Sequence, residues 1–226
     1  MKNLSPIRRF WSTDEGLTAL LVCVVVNVFV LHPLAESALM RILTHVFFSL
    51  ILIFGVVTVW ERRGVRLLAI SCAAASLIFH WARYVVHTPT TGSLGALIAL
   101  FFCGMMAALT LTNVFRKGDI TVHRIMGAVT AYLLLGIAWA LLYEIIELNW
   151  PGALQLPAHS TSGEGSSLRS NLLYFSFATL TTLGYGDILA VLPFARMLAV
   201  LEALTGQLFP AVLIARLVSM EIRSHG

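Results

Sequence analysis

Apolar residues run along this chain in long blocks separated by short polar gaps. The blocks fall at Leu17–Leu34, Ile42–Trp60, Val65–Val86, Leu94–Phe115, Ile125–Ile146 and Met197–Val218. Each is about 17–22 residues, enough for a helix to cross a hydrocarbon core of about 30 Å. The gaps carry breakers and charges: HPLAES around Pro33, ERRG around Arg62, HTPTTG around Pro89 and FRKGD around Lys117. The pattern predicts six membrane-spanning helices. One connection departs from it, since about fifty residues separate the fifth block from the sixth. Asn149 to Ser167 is rich in Pro, Gly, Ser and Thr and reads as an external loop. Asn171 to Leu180 is apolar but too short to cross, so an interfacial or a re-entrant helix fits.

Composition agrees with that pattern. Of 226 residues, 58% are hydrophobic and 12% charged, with a mean hydropathy of +0.88. A soluble domain is about 25% charged and about 45–50% apolar, so soluble enzymes, disordered chains and collagen-like chains are excluded. The net charge of +4 reads as topology. Lys2, Arg8, Arg9, Arg62, Arg63, Arg66, Arg116, Lys117, Arg124, Arg216 and Arg223 fall on one side of an even-numbered arrangement. Arg41, Arg83, Arg169 and Arg196 fall on the other, so both termini are expected in the cytoplasm. A cleavable leader ending near Ala35-Glu36-Ser37 is the competing reading, but the run is long for one and cleavage would leave an odd number of spans. No basic cluster is interleaved with aromatics, so nucleic acid is not an expected partner. Cys23, Cys72 and Cys103 sit inside apolar runs as small hydrophobes.

The chemistry concentrates in Thr179-Leu180-Thr181-Thr182-Leu183-Gly184-Tyr185-Gly186-Asp187, directly after the short apolar stretch. Glycine adopts positive φ cheaply, so alternating Gly and non-Gly residues can turn successive carbonyls to one side. Such a strip, with the Thr182 hydroxyl below it, can replace the water shell of a dehydrated monovalent cation. The side chains of Leu183 and Tyr185 would then point away and pack behind the strip. The carbonyl dipoles ending the short helix near Thr181 would favour a cation beneath, with the Thr181 and Thr182 hydroxyls adding oxygens.

These residues resemble the signature of the tetrameric P-loop potassium channels, T-x-x-T-x-G-Y-G-D, at every fixed position: Thr179, Thr182, Gly184, Tyr185, Gly186 and Asp187. The resemblance covers about Ile125 to Ser219. It implies an all-α membrane protein of six transmembrane helices, with a re-entrant pore helix and filter loop between the fifth and sixth. It also implies potassium ions held at Thr182, Leu183, Gly184 and Tyr185, with Gly186 completing the filter and Thr179, Thr181, Tyr174 and Asp187 supporting it. One loop supplies a quarter of a carbonyl ring, so three further copies of the chain are the implied partners, together with membrane lipids. Residues 1–118 would form a four-helix unit in the position of a voltage sensor, and residues 119–226 the pore domain.

Two departures stand out. Position 183 is Leu where the family usually has Val or Ile, a residue less stiff at χ1. Some members carry a pore-helix Glu that pairs with the Asp after the filter; here that position is Ala178, leaving the Tyr174 hydroxyl as a partner for Asp187. On the last span, Gly206 lies where the family's inner helix bends, and it equally suits close helix packing. Pro210 removes one helix hydrogen bond. Glu202, an acid inside an apolar run, completes the gating candidates. Glu144 and Glu147 read as the helix end in the headgroup region or as charges drawing cations to the mouth.

The fourth span, Leu94–Phe115, contains no basic residue, so steep voltage gating is not expected. His80, Arg83, Tyr84 and His87 share one face of the third span and suit interfacial anchoring, with Trp81 in an aromatic belt. Asn27 and His45 suit interhelical hydrogen bonds. The expected function is passive potassium conduction by a homotetramer in a plasma membrane, prokaryotic by its small size, with no cofactor, no enzyme activity and no cytoplasmic ligand domain. A weakly selective cation channel and a non-conducting membrane scaffold or receptor subunit are the alternatives.

Overall fold

Each apolar run folds as a helix, and the polar gaps set where the helices stop. The computed structural model describes residues 15–32, 34, 37–58, 63–85, 88–115, 122–157 and 165–225. Helix α1 (Glu15–Val25) passes into a π-helical turn, Val26–Leu31, closed by His32 N donating to Asn27 O at 3.1 Å. The turn buries Asn27, whose Nδ2 donates across to Thr44 O at 3.2 Å on α2 (Ala38–Thr58). α3 spans Arg63–Val85. α4 (Pro89–Val114) starts five residues ahead of its apolar run, because Thr88 caps it and Pro89 occupies its first turn. α5 (Val122–Asn149), α6 (Gly165–Leu180) and α7 (Pro193–His225) complete the helices among the described residues, and α7 continues through Pro210.

Three of these helices are long and apolar enough to cross a membrane: Thr90–Val114, Arg124–Asn149 and Pro193–Ser219. Shorter apolar helical stretches lie at Thr18–Leu31, Ile42–Val56 and Arg66–Phe79. The protein is a mostly helical membrane protein.

α5 is the central element and packs against α1, α4, α6 and α7. Its contact with α4 is the most extensive, and α4 buries the small residues Ala96, Ala99, Cys103 and Ala107, spaced along one face. In lipid, where large apolar side chains gain little by meeting one another, small residues let helix backbones approach. The largest buried cluster runs from Leu20 through Ile51, Phe102 and Leu134 to Leu173 of α6, drawing on both sides of residue 118. A second cluster joins Tyr143, Ile146, Leu154, Leu172, Phe175 and Ile188.

A two-stranded antiparallel ribbon pairs β1 (Leu154–Gln155) with β2 (Leu189–Ala190), Leu154 opposite Ala190. Val191 N extends the pairing to Ala153 O at 2.8 Å. This ribbon ties the segment after α5 to the segment after the glycine-rich stretch. Lys2, Arg8, Arg9, Arg62, His87, Arg116 and Lys117 lie outside the described residues, as do the side chains of Arg41, Arg63, His80, Arg83, Tyr84 and Arg223.

Candidate functional site

The site is the turn out of α6 and the seven residues that follow it. α6 is held along its length by three ties. At its N-terminal end, Arg169 forks onto the buried Glu144 of α5, with Nε to Oε2 at 3.1 Å and Nη2 to Oε2 and Oε1 at 2.9 and 3.3 Å. Two parallel charge-assisted bonds fix direction as well as distance. Next to this pair, Ser170 Oγ donates to His32 O at 3.2 Å, joining α6 to the end of the first helix. A cavity of about 30 Å³ lies here, lined by Asn27, His32, Thr44, Phe48, Glu144 and Arg169 among others.

In the middle of α6, Ser176 Oγ lies 2.7 Å from Gly136 O of α5 and 2.6 Å from Glu202 Oε1 of α7. Tyr143 Oη donates to the other carboxyl oxygen of Glu202 at 2.7 Å, and its ring meets Phe175 edge-on at 5.0 Å. At the C-terminal end, Leu180 O accepts from Tyr132 Oη at 3.3 Å. The backbone of Gly206 packs on that same carbonyl so closely that a Cβ there would overlap Leu180 O. Pro210 stands one turn further along α7, so the helix bond it deletes is the one Gly206 O would have accepted.

The helix then unwinds in steps. Thr181 N and Thr181 Oγ1 both donate to Phe177 O, at 3.0 and 2.6 Å. Thr182 N donates to Thr179 O at 2.9 Å, and Ala178 O accepts from both Leu183 N and Gly184 N, at 2.8 and 3.1 Å. From here φ is positive at every second residue: Thr182 at 58°, Gly184 at 56° and Gly186 at 79°. Glycine reaches this region without strain, whereas a β-branched residue does so at a cost of about 1–3 kcal/mol. A backbone whose φ alternates in sign turns successive carbonyls toward one side of the strand. That is the chemistry of a strip of oxygen ligands for a dehydrated cation.

Thr181 through Asp187 are all exposed within the single chain, Leu183 at 56% and Tyr185 at 71%. Neither side chain packs on its own chain's core, in contrast to the packing that the sequence expects behind the strip. Asp187 accepts a hydrogen bond from the exposed Tyr174 phenol. That bond, ahead of burial and charge, holds the phenol above its ordinary range. Ile188 N also donates to Asp187 Oδ1 at 3.2 Å.

Glu144 and Glu147, read as a helix end or as charges at the mouth, both find partners within the chain. Glu144 is buried in its ion pair. Glu147 accepts from Gly152 N at 2.7 Å and Leu154 N at 3.0 Å, shaping the turn into β1. Arg169, Ser176, Tyr143 and Tyr132 escaped the sequence reading. A signal for the first was present: an acid in one apolar run and a base just before the next short apolar stretch, on the same external side, invite pairing, because neither charge tolerates isolation in lipid.

Residues 127–223 match a family model described as "Ion channel". The matched stretch opens in α5, takes in α6 and the glycine-rich strand, and closes within α7. This region is an ion-channel domain. Two curated relatives, both called protein LctB, resemble the chain. One, from Bacillus caldotenax, is 29% identical over 122 residues, covering 54% of this chain and 90% of the relative. The other, from Geobacillus stearothermophilus, is 29% identical over 125 residues, covering 55% of this chain and 92% of the relative. No solved structure matches. The three ties on α6 and the alternating strand all belong to the ion-channel domain, save the contact between Ser170 and His32.

Proposed function

We propose that the protein is a potassium-selective channel that conducts passively as a homotetramer, with Thr182, Leu183, Gly184, Tyr185 and Gly186 as its filter. The observation that carries this reading is the positive φ at Thr182, Gly184 and Gly186 within the T-L-G-Y-G-D stretch. Four copies supply four strips and so enclose an ion. The tetramer is supported by α7, whose Met197, Leu201, Leu204, Leu208 and Val212 stand exposed at helical spacing, leaving a face for other copies and for lipid. In this reading α1–α5 and α7 span the membrane, α6 is re-entrant, and both termini lie in the cytoplasm. Residues 1–118 are then a four-helix unit without sensor charges, in a plasma membrane.

The test is a reversal potential in planar bilayers, with potassium on one side and sodium on the other. We expect reversal near the potassium equilibrium value, and Gly184→Ala is expected to shift it toward zero or abolish the current. A wild-type reversal near zero would make the protein a weakly selective cation channel, and no current at all would leave a scaffold.

Leu183 modifies the same filter. Ordering a leucine side chain costs about 0.5–1 kcal/mol of conformational entropy, more than a stiff β-branched residue loses. Leu183→Val is therefore expected to lengthen single-channel openings by about twofold, the factor that a difference of about 0.5 kcal/mol represents, with the reversal potential unchanged. Openings of unaltered length would remove side-chain stiffness from the account.

A further inference from the structure

Glu202 is fully buried on α7, and among the described residues its partners are Tyr143 and Ser176. No cation pairs with it there, and Arg169, the basic residue of α6, is engaged by Glu144. The titratable groups facing it are Tyr143 and Tyr132, both of α5.

Counting protons decides its state. Three short oxygen–oxygen contacts form a chain: Tyr143 Oη to Glu202 Oε2 at 2.7 Å, Glu202 Oε1 to Ser176 Oγ at 2.6 Å, and Ser176 Oγ to Gly136 O at 2.7 Å. Each contact needs a hydrogen. The two hydroxyls supply one each, and a peptide carbonyl can only accept. Tyr143 donates its proton toward Oε2, and Ser176 has one proton for two contacts, so the Glu202–Ser176–Gly136 chain is one hydrogen short unless the carboxyl provides it. A carboxylate would leave two acceptors face to face at 2.6–2.7 Å, and would bury a charge without a counter-charge. A carboxylic acid satisfies every group: Tyr143 donates to Oε2, Oε1–H donates to Ser176, and Ser176 donates to Gly136 O.

We propose that Glu202 acts as a neutral hydrogen-bond donor, a proton-bearing clamp that joins α7 to α6 and α5 and so positions the strand that begins two turns beyond Ser176. It is a positioning residue, since it touches α6 and not the permeating ion. Its effect on conduction rests on the filter reading above, whereas its protonation does not.

The experiment uses the full chain in lipid vesicles at pH 7. The infrared difference spectrum between wild type and Glu202→Gln is expected to show the loss of a carboxylic-acid carbonyl band. Loss of a carboxylate band instead would overturn the proposal, whether or not the protein conducts. Glutamine keeps the same donor and acceptor pattern, with Nε2 toward Ser176 and Oε1 toward Tyr143. E202Q is therefore expected to retain wild-type open times and reversal potential.

Glu202→Leu removes the clamp and is expected to shorten conducting-state lifetimes by roughly 5- to 30-fold, the factor that losing one or two such bonds represents. Ser176→Ala breaks the same chain from the α6 side without a volume change at 202, and should shorten them in the same direction. E202Q failing as badly as E202L would mean that the charge matters and the proton does not. Unchanged lifetimes in both E202L and S176A would overturn the positioning role while leaving the infrared result to stand alone. Absence of selective current in the wild type would strike the filter reading, and the infrared band would still decide the protonation.

Discussion

Gly206→Ala is expected to destabilise the protein by about 3 kcal/mol or more, the upper end of overpacking costs. The methyl would overlap the carbonyl of Leu180, a backbone group at the end of α6 already held by Tyr132. Neither partner can rotate aside, so α7 must move off α6 or the strand must move with it. The sign of the effect separates the two readings of this glycine. If Gly206 served only as a bend, alanine would stabilise the helix by about 1 kcal/mol, the ordinary difference in helix propensity. Two other glycines calibrate the measurement. A methyl at Gly136 would come within 2.7 Å of the Phe177 ring, a side chain that can yield, so a smaller loss is expected. A methyl at Gly104 meets nothing within 4 Å, and Gly104→Ala should be neutral to stabilising. Thermal midpoints of the three variants in one lipid or detergent give the order, and a G206A midpoint equal to that of G104A would remove the packing argument.

Arg169→Met is expected to cost about 3–5 kcal/mol, because it strands the Glu144 carboxylate inside the protein. The side chains are 20% and 2% exposed, so solvent reaches the arginine partly and the acid hardly at all. The loss should exceed what the pair itself contributes, and the double variant R169M/E144M is expected to recover most of it. A double-mutant cycle on thermal unfolding checks both statements. R169M costing under about 1 kcal/mol would mean that water in the adjacent cavity solvates Glu144. The pair also sits where α6 meets the end of the first helix, through Ser170 and His32. On the proposed channel reading, its loss is expected to shorten openings as well as lower stability.

How far the sequence could be read depended on the range of the forces involved. The six apolar runs needed only composition along the chain, since a helix satisfies its own backbone and lipid accepts apolar side chains in any order. Their ends were less legible. α4 begins at Thr88 and Pro89 through capping, and α1 loosens into a π turn around Asn27, whose side chain reaches Thr44. The T-x-x-T-x-G-Y-G-D stretch could be recognised because its chemistry is local: glycines permit alternating φ whatever surrounds them.

Most of what holds the strand in place was hidden. The partners of α6 lie 25 residues away at Glu144, 26 at Glu202 and 40 at Gly136, in helices whose rotation about their axes leaves almost no trace in an apolar run. The pairing of β1 with β2 rests on two residues per strand, too few for any alternation to register. Leu183 and Tyr185 show the boundary most plainly, since the sequence expects their side chains to be packed and a single chain leaves them exposed. By itself the sequence determined the helices and the strand of alternating φ, because both are made of neighbouring residues. Only the tertiary structure decided that Glu144 pairs with Arg169, that Glu202 and Ser176 share a hydrogen bond, and that Gly206 admits Leu180 O. Those outcomes depend on which faces of distant helices meet, and that is set by packing in three dimensions.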